Sequence, residues 1–196
     1  VYSKIGTVYK EMNGDILLAR GYYDRAFQID KTIAKERRTG QAWDDYAVSV
    51  IKQGDLCKEE KHYMAAADYY KEAMGIFKSL AEGDMTSLRA RRNYAASCEK
   101  MASAGKRFMD QEGVEPIFEE AIRMRESIKD QTCNSVTLHE LASAYFNYGL
   151  YKKDEKWLNK ALDIWTVLAG KTTKYNKYID KVRKVLKQIQ EANTGE

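Results

Sequence analysis

One pair of residues begins a pattern that could support metal chemistry. His139 and Glu140 start the H-E-x-x-H spacing, in which two histidines one helical turn apart hold zinc. Ser143 stands where the second histidine would be, so the pattern lacks a ligand. The other histidine of the chain, His62, falls in a predicted hairpin turn. No phosphate-binding glycine loop, nucleophile elbow or calcium loop is present. We therefore predict no catalytic residues, no metal, no cofactor and no enzymatic activity.

The three cysteines are the remaining reactive side chains. Cys57, Cys98 and Cys133 are odd in number and lack the spacing of a metal site. We expect reduced thiols, and Cys57 and Cys98 fall at positions predicted to be buried. This pattern favours a reducing, cytoplasmic location.

The most regular chemical feature is two series of lysines, each of which recurs at one constant interval along the chain. The first series is Lys10, Lys58 and Lys106, and the second is Lys4, Lys52 and Lys100. The two series are six residues apart, which is about 600° of helical rotation, so they occupy different sides of each helix. A row of ammonium groups could attract an acidic partner. Alternatively, duplication copied a solvated lysine, and Glu11 and Glu59 beside the first series would offset its charge.

The elements that carry these lysines are repeated helices. A twelve-residue block occurs four times, with its first small residue at Ala26, Ala73, Ala121 and Ala161. Its apolar residues recur at steps of three and four, which places them on one face of an α-helix. A companion helix repeats with small residues at Gly6, Gly54 and Ala102, which recur at the same interval as the lysines. Each repeat is therefore a pair of antiparallel helices, A then B.

The repeats predict an all-α fold, an α-solenoid of four antiparallel helix pairs with a C-terminal capping helix. We expect a single domain over residues 1–196. Its repeats are about 1–36, 37–84, 85–131 and 132–170, and the capping helix follows over 171–196. Pro116 is expected to open the B helix of the third repeat, since proline is tolerated in a first helical turn. The chain begins at Val1 and not at methionine, so we expect it to be part of a longer protein.

The same positions resemble the tetratricopeptide repeat family. The second repeat carries Val50, Gln53, Gly54 and Cys57, followed by Ala66, Tyr70 and Ala73. The fourth carries Leu138, Leu141, Ala142 and Tyr145, followed by Asp154, Leu158 and Ala161. The period of about 48 residues is similar to the longer bacterial variant of the family. The proline that usually ends the repeat is absent, and Asp154 replaces a small residue. The resemblance implies a right-handed superhelix whose A helices line a concave groove.

The resemblance also implies where a partner would bind, because it places the first lysine series in the groove. The candidate partner-binding residues are Lys10, Asp55, Lys58, Glu99, Ser103, Lys106, His139, Ser143, Phe146 and Asn147. Phe146 lies close in sequence to Tyr148 and Tyr151, and these aromatic residues could form a binding hot spot. The alternative is that they pack against the capping helix.

Composition limits the classes of partner. The chain has 33 basic and 29 acidic residues, and a net charge of +4 is too small to indicate nucleic-acid binding by itself. Apolar runs are short, so we expect no membrane segment. The sequence thus predicts a non-catalytic scaffold that binds a protein or peptide, expected to be acidic. Two alternatives stay open: a nucleic-acid-binding or regulatory repeat module, and the regulatory arm of an enzyme whose catalytic domain lies outside this chain.

Overall fold

The computed structural model describes residues 1–194, without the side chains of Asn13, Asn193 and Thr194. Within this range the chain forms nine α-helices and no strand, which confirms the predicted all-α class. The helices are α1 (Tyr2–Asn13), α2 (Ile16–Arg37), α3 (Gly40–Glu59), α4 (Tyr63–Gly83), α5 (Leu88–Gly105), α6 (Gln111–Gln131), α7 (Ser135–Lys152), α8 (Glu155–Ala169) and α9 (Asn176–Thr194). A short 3₁₀ helix, Thr173–Tyr175, precedes α9. The last two residues of the predicted capping segment, 195–196, lie outside the described range.

The chain divides into two compact units, and the boundary falls inside α6. The first unit is Val1–Ile117, in which each of α1 to α4 packs against the helix that follows it. The second unit begins at Phe118, and in it α7 packs against α8 and α8 against α9. The helices thus follow the predicted order of consecutive pairs. None of the helices in the described range is long and apolar enough to span a membrane.

Polar side chains fix where the helices begin. The hydroxyl of Thr39 accepts the N–H of Ala42 at 3.2 Å, and α3 starts at the next residue, Gly40. Asp110 accepts the N–H of Gly113 at 2.8 Å in the first turn of α6. These bonds satisfy backbone donors that a first helical turn leaves unpaired. The Asp110 cap also corrects one expectation, since α6 begins at Gln111 and Pro116 lies inside the helix.

Each of the first two hairpins of the first unit contains a close contact between a glycine on helix A and a tyrosine on helix B. A methyl group added at Gly54 would lie 2.6 Å from Cε1 of Tyr70, and one at Gly6 would lie 2.8 Å from Cε1 of Tyr23. Both rings are buried, with exposures of 0% and 2%. A side chain at either glycine would require the opposing tyrosine ring or its helix to shift. The small residue on helix A therefore determines how closely helix B approaches.

The small residues of the repeated block are also buried, as predicted. Ala73, Ala121 and Ala161 are completely buried, and Ala26 is 4% exposed. Large residues of the same helices are buried as well, such as Phe77 and Leu158. The spacing of three and four residues thus identified the packing face of helix B at its small residues, whereas Ile29 of the first block is 43% exposed.

The three cysteines are free thiols in different environments. Cys98 is buried, Cys57 is half-buried and Cys133 is exposed. Burial raises the pKa of the Cys57 thiol, and the nearby charge of Glu60 acts in the same direction. A raised pKa keeps a thiol protonated and therefore less reactive.

Two substitutions on α4, one at a buried alanine and one at an exposed glycine, test the packing of this helix. Ala73→Leu should lower the unfolding free energy by about 1–3 kcal/mol, because the larger side chain overpacks a filled interface. Gly75 lies two residues further along α4 with open space where a Cβ would be. Gly75→Ala should therefore raise the unfolding free energy by about 0.5–1 kcal/mol through helix propensity. Urea unfolding measures both, and a stabilising Ala73→Leu would contradict the packing described.

Candidate partner-binding surface

The first lysine series reaches forward to the next A helix of the first unit, whose A helices are α1, α3 and α5. Nζ of Lys10 on α1 donates to a carboxylate oxygen of Glu59 on α3. Nζ of Lys58 on α3 donates to Oγ of Ser103 on α5 at 3.0 Å. Lys106 is exposed and directly follows the last residue of α5. Lys10 and Lys58 are thus occupied by contacts between successive repeats.

The second lysine series reaches backward to the preceding hairpin. Nζ of Lys52 lies 5.8 Å from the centre of the Tyr23 ring. Nζ of Lys100 lies 5.6 Å from the centre of the Tyr70 ring and donates to Oδ1 of Asp55 at 2.5 Å. These ammonium groups cover the ring faces of the core tyrosines, an electrostatically favourable arrangement. The two series therefore lie on different sides of the A helices.

Asp55 connects the core to the surface. Its Oδ1 atom also accepts the hydroxyl proton of Tyr70 at 2.8 Å. In the preceding hairpin the hydroxyls of Thr7 and Tyr23 form the corresponding bond, at 3.1 Å. Burial raises the pKa of the Tyr70 phenol, and the Asp55 charge adds to this, so the phenol remains a donor. Asp55 is thus a structural tie between α3, α4 and α5.

An open cleft of about 390 Å³ lies on the A-helix side of the first unit. Its lining residues are Val1, Ser3, Lys4 and Thr7 around α1, Asp30 on α2, Asp45, Val48, Ser49 and Lys52 on α3, and Arg89 on α5. The lysines that line this cleft belong to the second series, whereas the family resemblance placed the first series in the partner-binding groove. Burial raises the pKa of the Asp30 carboxyl, although the hydrogen bond from Ser49 opposes this.

The ammonium groups of the first series differ in their electrostatic environment. Burial would lower the pKa of Lys10, but the hydrogen bond and charge of Glu59 outweigh it, and the pKa is raised. The pKa of Lys58 is lowered, first by burial and then by the positive charge of Lys100. Equivalent positions in successive repeats thus have opposite shifts.

The second unit contains the other candidate residues as a set of its own. Nδ1 of His139 accepts the indole N–H of Trp165 at 2.9 Å, and its ring lies 4.8 Å from that of Tyr178. Oγ of Ser143 donates to the carbonyl oxygen of His139 at 2.9 Å. His139 therefore joins α7 to α8 and α9. Among the described residues, no group of His, Cys, Asp or Glu side chains could hold a metal ion.

Phe146 belongs to the core of the second unit and not to a partner-binding surface. It is 4% exposed, and its ring centre lies 5.9 Å from that of Trp165. Nζ of Lys181 on α9 lies 4.9 Å from the same ring centre. Tyr148 and Tyr151 pack on Phe118 of α6, with ring centres 5.5 and 5.3 Å away. These rings thus pack inside the unit. Tyr148 and Tyr151 contact α6, and the expected contact with the capping helix is seen at Phe146.

The remaining candidates lie at more accessible positions. Asn147 is exposed on α7, and Glu99 is half-buried on α5. Sequence reasoning did not select Arg89, which lines the cleft, or Arg107, which follows Lys106. The repeat could have identified Arg107, because Arg107 lies one full period after Glu59, the ion-pair partner of Lys10.

Comparisons with known proteins do not assign the chain to a family. No family model matches the chain. Protein NCA1 of Arabidopsis thaliana is 33% identical to it over 92 residues. The similar segment covers 46% of this chain and 22% of NCA1. The similarity is therefore confined to a minor part of that protein.

The environment of His139 predicts a pH dependence of stability. Burial lowers its pKa from the ordinary 6.5, and Lys174 and Lys177 act in the same direction against Glu140. The unfolded chain therefore binds more protons than the folded one as the pH falls below about 6.5. The stabilising contribution of neutral His139 is present above that pH and is lost progressively below it.

The measurement is the unfolding free energy at pH 7.5 and at pH 5. His139→Gln should reduce the loss of unfolding free energy between pH 7.5 and pH 5, because the titrating imidazole is removed. His62→Gln removes the histidine on the exposed start of α4 and is the matched control. If His139→Gln and the control showed the same pH dependence as the original chain, titration of His139 would not be the cause.

Proposed function

We propose that this chain is a non-catalytic protein-interaction module, a helical-repeat domain of the tetratricopeptide type. It binds an extended peptide or protein segment on the A-helix side of its first unit. The repeated hairpins, with a glycine on helix A against a tyrosine on helix B, support the family assignment. The free thiols are consistent with a cytoplasmic location.

The observation that carries this proposal is the 390 Å³ cleft lined mainly by α1, α3 and α5, with Asp30 of α2. Each of these helices belongs to a different repeat, so the cleft runs across successive repeats. Repeat proteins use such surfaces to bind extended partners, because every repeat adds its own contacts. Hydroxyl and charged side chains line the cleft, among them Thr7, Asp45 and Arg89. These groups can bond both the backbone and the side chains of a peptide.

The charge of this surface favours a partner with acidic residues. Lys4, Lys52 and Arg89 bring positive charge to the cleft, against Asp30 and Asp45. Arg89 already pairs with Asp44. Further along α3 and α5 lie Lys58 and Lys100, and Lys106 directly follows α5. A basic surface accelerates association with an acidic segment and makes it sensitive to salt.

The proposal predicts which peptides the protein selects from a random displayed library. Selected peptides should be enriched in Asp and Glu. The double variant Lys58→Glu with Lys106→Glu should slow their association and flatten its dependence on salt. Stopped-flow fluorescence with a labelled selected peptide measures both quantities.

The matched control is Lys71→Glu with Lys78→Glu, which makes the same charge change on helix α4. Both control lysines are exposed on helix B of the second repeat. Association rates should stay near those of the original chain in this control. Equal rates for the two double variants would remove Lys58 and Lys106 from the mechanism. A library that yields no peptide would contradict the proposed function itself.

A further inference from the structure

The contact between α1 and α3 contains a complete ion pair. Lys10 donates to Glu59, which lies 49 residues later. Asp55 adds a second negative charge that raises the pKa of Lys10. The ammonium group of Lys10 is therefore compensated within the protein.

The corresponding contact between α3 and α5 has lost both acids. One repeat period takes Lys10 to Lys58, Glu59 to Arg107 and Asp55 to Ser103. A glutamate has thus been replaced by an arginine, and an aspartate by a neutral serine. Lys58 donates to the hydroxyl of Ser103 at 3.0 Å where Lys10 meets a carboxylate. The same structural position carries an ion pair in one repeat and an excess of positive charge in the next.

Few acidic neighbours act on this excess of positive charge. Burial lowers the pKa of Lys58, and so do the charges of Lys100, Lys106 and Arg107, against Asp55 alone. Asp55 is already bonded to Lys100. Lys106 is exposed as a residue, but partial burial of its ammonium group, followed by the charge of Arg107, lowers its pKa. Among the described residues, neither Lys58 nor Lys106 forms an ion pair.

Arg107 is held in place by an aromatic ring. Its guanidinium carbon lies 5.3 Å from the centre of the Tyr63 ring at the start of α4. A guanidinium group can stack on an aromatic face and still use its N–H groups toward an anion. Lys58 lies in the last turn of α3, Lys106 and Arg107 directly follow α5, and the charges of Lys106 and Arg107 act on Lys58. We name these three residues the cationic cluster.

We propose that the cationic cluster binds a phosphoryl group carried by the peptide partner. The identity of the carrier rests on the proposed function, while the anion site rests on the cluster alone. Arg107 would supply paired N–H donors to two phosphate oxygens, and the two lysines would act as point charges. The hydroxyl of Ser103 would remain a donor for a third oxygen.

Charge favours a phosphoryl group over a carboxylate. A phosphorylated side chain carries about −1.5 to −2 charges at pH 7, whereas a carboxylate carries one. The cluster has three positive charges, and the one nearby carboxylate that acts on Lys58, Asp55, also compensates Lys100. A dianion therefore compensates the cluster more completely.

The test is a titration of the full chain with O-phospho-L-serine, followed by ¹H–¹⁵N NMR at constant ionic strength. Saturable shifts are expected at residues 58, 103, 106 and 107. Acetate at the same concentrations should bind about tenfold more weakly or not at all, the loss expected of one charge-assisted hydrogen bond. Absence of saturable shifts with phosphoserine would overturn the proposal.

The decisive variant is Arg107→Glu, which rebuilds at Lys58 the ion pair that Lys10 has. It should bind phosphoserine at least about tenfold more weakly, and it should unfold at the same or a higher temperature. If the charge reversal disturbs folding, the neutral variant Arg107→Gln replaces it. This variant should also bind phosphoserine more weakly. Lys71→Glu on α4 makes an equal change in net charge and should bind like the original chain. Equal affinity of Arg107→Glu and the original chain would refute the site.

One further titration distinguishes the possible sources of the anion. A mixed-sequence single-stranded DNA that shifts the same signals, when phosphoserine does not, would overturn the proposal in favour of nucleic acid. Because phosphoserine is added alone, the result does not depend on the selection of a peptide. Failure of peptide selection with intact phosphoserine binding would refute only the proposed function, and the reverse outcome only the anion site.

Discussion

The contact between Gly54 and Tyr70 is the constraint on which the first unit depends. The absence of a side chain at Gly54 lets the tyrosine ring lie directly against the backbone of α3. The ring is fully buried, so it contributes a large apolar area to the hairpin. Gly6 and Tyr23 repeat the arrangement one hairpin earlier. The distance between the A and B helices follows from this pair.

The same ring also positions the polar surface. Its hydroxyl lies at the edge of the core and donates to Asp55, and Asp55 binds Lys100 of the next A helix. Packing within one hairpin is thereby connected to the contact between successive hairpins. An exposed ion pair contributes only about 0–1 kcal/mol, so these bonds align helices that the core already holds. Their main consequence is the placement of charge along α1, α3 and α5.

How far the sequence predicted this structure depends on the range of each interaction. Helices and packing faces could be predicted because apolar residues recur at steps of three and four within one helix. The environment of a lysine could not, because its partner lies about 45 to 49 residues away and is reached by a long side chain. Phe146 was ambiguous for another reason. Helix α7 buries residues on several sides, including Leu141, Ala144 and Phe146, so periodicity did not distinguish core from surface.

The central claim is that the missing side chain at Gly54 sets the approach of Tyr70, and a double-mutant cycle tests it directly. Gly54→Ala should lower the unfolding free energy in urea by about 1–3 kcal/mol, because the new methyl group meets the ring. In a Tyr70→Val background the ring is absent, and Gly54→Ala should instead be neutral or stabilise by up to about 1 kcal/mol. An equal loss of stability in both backgrounds would contradict the account.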